Sequence, residues 1–416
     1  MPSTRTLGRI AAALAVTALG AAALTACGGD SGSGGNQAAA SSMYTWISNE
    51  NDRAQWQAFI DAAKKTDPSF NLTLEGPSFQ DYWTKVKTRL SSANAPCIIT
   101  TQAARTQELK DLLTPLDDLA KKNNVDISQY NKAMIDGMTV DGQLRALPYD
   151  AEPLVLYYNK DLFTAAGLKQ PGTDYTTSQF VSDAKALTKG GVNGLAVPPG
   201  FGAGPGLALG FANGSAPVKD GNLDLTNPGL VKSQQFAFDL SAKDKVAQAP
   251  QASDASDVAE QAFMSGQAAM IMDGPWVYDM LTTKTKGKVG IAVIPSDSGQ
   301  SIGMIQGSGF GISASCPDKD AAFKNIMKIT TPEVIGAVGA SRGTVPAIES
   351  SVKDWAGTKP ASDVNVVQAL LKTGRPLITT PNWNQVETLF TQYSGEGFRG
   401  TQTAQQIFST ITNSAQ

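Results

Sequence analysis

The chain has 416 residues, 41% of them hydrophobic, and 34 basic against 37 acidic residues give a formal charge of −3. That length is long for one domain and comfortable for two, and the acidic balance argues against nucleic acid, which needs a basic stripe. The chain contains no histidine, which excludes a Ser-His-Asp or Cys-His mechanism and a His-ligated metal site; no metal and no cofactor are expected.

Arg5 and Arg9 precede an apolar run over residues 10–26, IAAALAVTALGAAALTA. It is short for a membrane span, and its alanines and Gly20 make it only weakly hydrophobic, so residues 1–26 are expected to be a signal peptide. Leu24-Thr25-Ala26 stands directly before Cys27. That resembles the lipobox of bacterial lipoproteins, in which a lipid-modified cysteine becomes the new N-terminus; the alternative is an ordinary signal peptide with a chance cysteine. Residues 28–42, GGDSGSGGNQAAASS, hold no aromatic or branched apolar side chain. Residues 27–42 are therefore expected to be the lipid anchor and a flexible tether with a reach of roughly 20 Å. Without Arg5 and Arg9, 32 basic residues face 37 acidic ones, a balance of −5. No second long apolar run follows, so the membrane is expected to be met through the anchor alone.

From residue 43 strand and helix signals alternate. Residues 43–48 (MYTWIS) read as a strand. Residues 51–65 carry Trp56, Phe59, Ile60 and Ala63 on one helical face, with Asn51 or Asp52 as cap. Residues 70–75 (FNLTLE) alternate like a strand, 80–91 place Tyr82, Val86 and Leu90 in helical register, and 97–100 form a short buried strand. This βαβαβ order predicts a parallel sheet with helices on both faces. Further strands are expected over 154–158, 194–197, 268–272, 289–294 and 309–313. Helices are expected over 178–189, from Asp318 with Phe323, Ile326 and Met327 inward, and around 364–373 and 385–393. Residues 198–214, PPGFGAGPGLALGFANG, read as a long Gly/Pro loop, uncommon in a compact body and often functional. The glycines at 200–206 lack the Lys-Ser/Thr of a phosphate loop. Tyr157-Tyr158 could bind ferric iron in a related fold, but they lie inside an apolar strand and are expected in the core.

Three stretches carry a specific resemblance. DGQLRALP over 141–148 runs on to EPLVLYYNKDLF over 152–163; FMSGQAAMIMDGPW covers 263–276; and 307–313 is followed by Ala321-Ala322-Phe323, Thr331-Pro332-Glu333 and GTVPA over 343–347. In this order the segments resemble family 1 extracellular solute-binding proteins, from Tyr44 to about Phe390. Two positions depart from the family pattern: TDYTTS over 173–178 replaces the usual helix start, and Cys97 follows Ala95-Pro96 where an aspartate is usual. The resemblance implies an α/β fold of the type II periplasmic-binding-protein kind, with two α/β lobes, hinge segments and a ligand cleft between them. It places lobe 1 at 43–151 and 302–349 and lobe 2 at 152–301 and 350–416. Crossings fall near 150–153, 302–307 and 348–352. It implies a monomer on the extracellular face of the cell membrane, a carbohydrate ligand, the transmembrane subunits of an ABC permease as partners, and no catalysis.

Sugar recognition needs flat apolar surfaces for the C–H faces of the rings and carboxylates or amides for the hydroxyls. In maltodextrin-like relatives the positions matching Trp276 and Trp383 stack on sugar rings, and those matching Glu152 and Glu50 bind hydroxyls. Trp46, Asn49 and Tyr149 lie in the same segments; Asp273, Phe201 and Thr101 complete the candidate set. Each has a plainer reading as well: packing for the two tryptophans, a hinge salt bridge for Glu152, and an exposed helix-start acid for Glu50. A solute other than a sugar would call for cleft cations, with Arg145, Arg342 and Arg375 the candidates, and a two-carboxylate glycosidase needs no histidine. The family also implies that the strand opened by Cys97 and the one closed by Cys316 are antiparallel neighbours, so these two cysteines are expected to form a disulfide in an oxidising compartment.

Overall fold

A computed structural model of the chain describes residues 39–415. The expected signal peptide, the Cys27 anchor and the tether up to residue 38 lie outside the described residues. The last tether residues are corrected: Ala40 is buried in the core, the Ala39 carbonyl accepts the Cys97 amide at 3.3 Å, and Ser42 pairs with Thr73. Small side chains cannot drive burial, but their backbone completes a sheet edge and an alanine fits beneath it.

The first lobe is a five-stranded sheet in the order Thr73–Glu75, Ser42–Tyr44, Ile98–Gln102, Ser308–Ile312, Ala146–Pro148. The first three are parallel, as the βαβαβ pattern predicts, and Ser308–Ile312 runs antiparallel to both of its neighbours. Side chains alternate across the sheet. Met43 and Ile98 enter the larger core with Trp56, Phe59, Ile60 and Ala63 of the helix Glu50–Ala63, whereas Tyr44 and Ile99 enter a smaller one with Tyr82, Val86 and Leu90 of Phe79–Leu90. Cys97 and Cys316 are disulfide-bonded, with Cα atoms 4.8 Å apart and a sequence separation of 219.

The second lobe is built on Val155–Asn159, flanked antiparallel by Met270–Asp273 and Val289–Ala292. All of Val155, Leu156, Tyr157 and Tyr158 are buried, which fits the continuous apolar run. The stretch 194–197 is extended rather than a strand, although Leu195 and Ala196 donate to the carbonyls of Val246 and Met270. The expected loop at 198–214 is also corrected. It contains the helix Pro205–Ala212, every residue of which is buried. Pro205 occupies its first turn, a favoured place. A side chain on Gly206 would collide with Gln234 of the helix Pro228–Ala242. The glycines thus serve close helix packing, and a helix apolar all round shows no amphipathic period.

Between the lobes the chain crosses in strands. Met304–Gln306 pairs antiparallel with Glu152–Pro153 and parallel with Arg375–Pro376, and Asp150 bridges to Pro346. Ile348 belongs to the first lobe's core and Trp355 to the second's.

Candidate ligand-binding crevice

Parallel strands present their carboxyl ends to a crevice, where α/β folds place ligands. At that end of the first lobe the chain leaves Tyr44 and forms an aromatic group. Trp46 stands edge-on to Trp56 and Phe79, each at 5.3 Å between centroids, and to Tyr82 at 5.6 Å. Trp46 is half-buried, and its carbonyl accepts the Trp56 indole N–H at 2.7 Å. Asn49 caps the helix Glu50–Ala63, accepting the Asp52 amide at 3.0 Å, and Glu50 is exposed in its first turn, where the helix dipole favours an acid. Thr101 is fully buried and its hydroxyl has no protein partner. Tyr149 is corrected: at 2% exposure it stacks on Phe310 at 4.8 Å and meets Phe59 edge-on. It belongs to the core, and burial pushes its hydroxyl well above the usual tyrosine range.

At the hinge two carboxylates reach the two returning crossings. Asp150 accepts the Ser308 amide at 2.5 Å, and Glu152 accepts the Val345 amide at 3.1 Å through one oxygen. The other Glu152 oxygen is buried with no protein partner. Among the described residues Glu152 has no salt-bridge partner. Desolvation raises both carboxyl pKa values well above the ordinary range, and Asp150 adds repulsion to Glu152.

In the second lobe, Met270–Asp273 ends beside Val155, at the hinge side of its sheet. Asp273 is buried, accepts the Gly274 amide at 2.7 Å and lies against Glu260. Desolvation pushes Asp273 up to about 6 and Glu260 up to about 9. Trp276 follows in the short turn Pro275–Val277 and is half-buried.

Phe201 and Trp383 are corrected. Trp383 is 0% and Phe201 1% exposed; their rings lie 5.7 Å apart, and Phe201 stacks on Phe390 at 4.4 Å. The Trp383 indole N–H donates to Glu387 one turn along its own helix, at 2.9 Å. Both rings are packed inside the second lobe and present no open face.

Sequence reasoning missed Arg105. It leaves the first lobe just beyond Ile98–Gln102 and reaches Glu387 of the second at 2.5 Å, with Glu108 at 3.3 Å and its guanidinium 4.8 Å from the Trp83 ring. Thr379 of the second lobe also donates to the Ala104 carbonyl at 2.6 Å. Position held the clue, since Arg105 directly follows a strand end that opens on the crevice. Among the described residues no group of three or more acidic or cysteine side chains is arranged to hold a metal ion.

The bacterial extracellular solute-binding protein family matches residues 47–335. The chain belongs to that family. Among curated relatives, the maltodextrin-binding protein MdxE of Bacillus subtilis is 32% identical over 146 residues, a match spanning 33% of this chain and 34% of that one. The diacetylchitobiose binding protein DasA of Streptomyces coelicolor is 23% identical, with 88% of this chain and 87% of that one covered. Among solved structures, the ABC substrate-binding protein Lmo0181 of Listeria monocytogenes in complex with cycloalternan has a TM-score of 0.80 at 21% identity, covering 90% and 97% of the two chains. The Thermus thermophilus maltotriose binding protein superposes with a TM-score of 0.72, also at 21% identity, over 90% and 98%. These similarities fix the fold as that of type II periplasmic binding proteins, two α/β lobes on either side of a crevice.

Proposed function

We propose that this chain captures a carbohydrate, an oligosaccharide above all, between its lobes and delivers it to the permease of an ABC importer without chemical change. Its place would be the extracellular face of the cell membrane, held by lipid on Cys27 after removal of residues 1–26. The observation that carries the ligand class is a pairing at the hinge side of the crevice: the half-buried ring of Trp276, and Glu152 with one buried carboxylate oxygen that no protein donor reaches. A ring face and an acceptor that lacks a protein donor are what a sugar's C–H face and hydroxyl require. The names of the relatives and structures, which bind maltodextrin, diacetylchitobiose, maltotriose and cycloalternan, point the same way.

An anionic ligand is less well served. Arg145 donates to the Leu113 carbonyl and to Gln143, Arg342 to the Asn51 carbonyl, and Arg375 lies 5.5 Å from the Phe211 ring. Arg105 does reach the lobe interface, but it is already paired with Glu387 and Glu108. Glycoside hydrolysis fits no better, because the relatives and similar structures are named as binding proteins. The test is a melting-shift screen with mono- to tetrasaccharides, followed by tryptophan fluorescence and product analysis. A stabilising sugar that is recovered unchanged is expected. Stabilisation by a sugar phosphate or peptide alone, or release of reducing ends, would overturn the reading.

A further inference from the structure

The three parallel strands of the first lobe finish at one end of the sheet, and each is followed by an aromatic or cationic side chain. Trp46 follows Ser42–Tyr44, Phe79 follows Thr73–Glu75 at the start of its helix, and Arg105 follows Ile98–Gln102. Arg105 fixes where this end faces, because it bonds Glu387 of the second lobe at 2.5 Å. Its guanidinium also lies 4.8 Å from the Trp83 ring, and Trp83 meets Phe79 edge-on at 5.8 Å. Phe79 is thus linked to the other lobe through two side chains. Burial falls off along that path: Arg105 and Trp83 are each 3% exposed, whereas Phe79 is 37% exposed. The Phe79 ring therefore lies on the rim of the crevice, outside the point where the lobes touch.

The seat of this ring is set by the fold. The Phe79 amide donates to the Ser48 hydroxyl at 2.9 Å, the Ser48 amide donates to Asp52 at 2.8 Å, and Ser78 caps the helix by accepting the Asp81 amide. Trp83, one turn along the helix, and Trp46, at 5.3 Å, both stand nearly perpendicular to the ring. Leaving an apolar ring in water contributes nothing to folding. Among the described residues the exposed large apolar side chains are Phe79 and Ile378. Ile378 precedes Thr379, which bonds the Ala104 carbonyl of the first lobe, so both border the line where the lobes meet.

Polar groups accompany the ring. Asn49 and Glu50 follow Ser48 directly and are exposed, and the Trp83 indole N–H is buried without a protein acceptor. A ring face, an exposed amide and carboxylate, and an unmet donor complement the C–H face and hydroxyls of a sugar unit. We propose that Phe79, braced by Trp46 and Trp83, is an outer ring platform on the first lobe, which seats a sugar unit extending out of the crevice. It acts as a gauge of chain length. A short sugar on Trp276 ends before the rim, and a longer one gains a second ring contact. The inference rests on the reading of the crevice as a sugar site.

The test titrates the unmodified protein, F79A, F79W and W276A with two probe series: maltose, maltotriose and maltotetraose, and diacetylchitobiose with its tri- and tetrasaccharide homologues. For the series that binds, affinity should rise with length in the unmodified protein. In F79A the gain from di- to tetrasaccharide should shrink roughly tenfold, with disaccharide affinity kept within about twofold. F79W should restore the gain, W276A should weaken every length, and the Tm of ligand-free F79A should stay close to that of the parent. A length dependence in F79A equal to the parent's would overturn the platform. So would a parent that binds di- and tetrasaccharide equally well, or a loss in F79A that is the same at every length, which marks Phe79 as support for the crevice. If no probe binds the unmodified protein, the sugar reading itself fails and the platform falls with it; a parent that binds beside an unaltered F79A sinks the platform alone.

Discussion

Trp276 and Trp383 both begin a helical segment shortly after a proline in the second lobe, yet their rings have opposite fates. The Trp276 ring lies against Gly274, just past the end of its strand, and stays half-buried. The Trp383 indole reaches forward to Glu387 on its own helix, which folds the ring under Phe201 and out of solvent. What separates the half-buried ring from the core ring here is what each packs against: a glycine in one case, a second aromatic ring in the other. The residue type and its place at a helix start are the same in both.

The difference is open to test. W383A should be the more damaging to the fold, because it empties a buried aromatic site; a loss of about 3–5 kcal/mol in denaturant unfolding is expected. W276A should leave unfolding close to the parent and remove about 2–4 kcal/mol of binding to whichever sugar the screen identifies. If W383A instead spares stability and abolishes binding, the two rings have been assigned the wrong way round. A smaller effect isolates Glu387, which holds both the Trp383 indole and Arg105 of the other lobe. E387Q keeps an acceptor for the indole but loses the ion pair. It should cost about 1–2 kcal/mol and enlarge the ligand-free radius of gyration in small-angle scattering. An unchanged radius would show that the Arg105 contact does not restrain the lobes.

Much of the first lobe was legible because its helices are amphipathic. Trp56, Phe59, Ile60 and Ala63 announce a buried face by spacing alone, and all four are buried. Cys97 and Cys316 could be paired only through the family resemblance, since the contact joins residues 219 apart. The helix Pro205–Ala212 stayed hidden because it is buried on every side and carries no periodic signal. The fates of Phe201, Tyr149 and Trp383 were unreadable for a related reason. An aromatic residue near a strand end suits either a core or a crevice, and only tertiary contacts choose between them. Arg105 was missed because it matters through Glu387, a partner far away in sequence that local pattern does not record.

The strand Ser308–Ile312 has a consequence for how the molecule is made. It sits between Ile98–Gln102 and Ala146–Pro148, so a chain still emerging from the ribosome or the export channel carries a first sheet with a slot in its middle. Both flanking strands then offer unpaired backbone edges, the kind that recruit other chains. The slot fills only when the chain has grown from Pro148 to Ser308, and all three strands of the second lobe's sheet lie within that stretch. Synthesis order and completion order are therefore inverted for the first lobe's centre, and the disulfide seals the late arrival in place. A nascent chain halted before residue 308 is expected to depend on chaperones, whereas the finished protein is not.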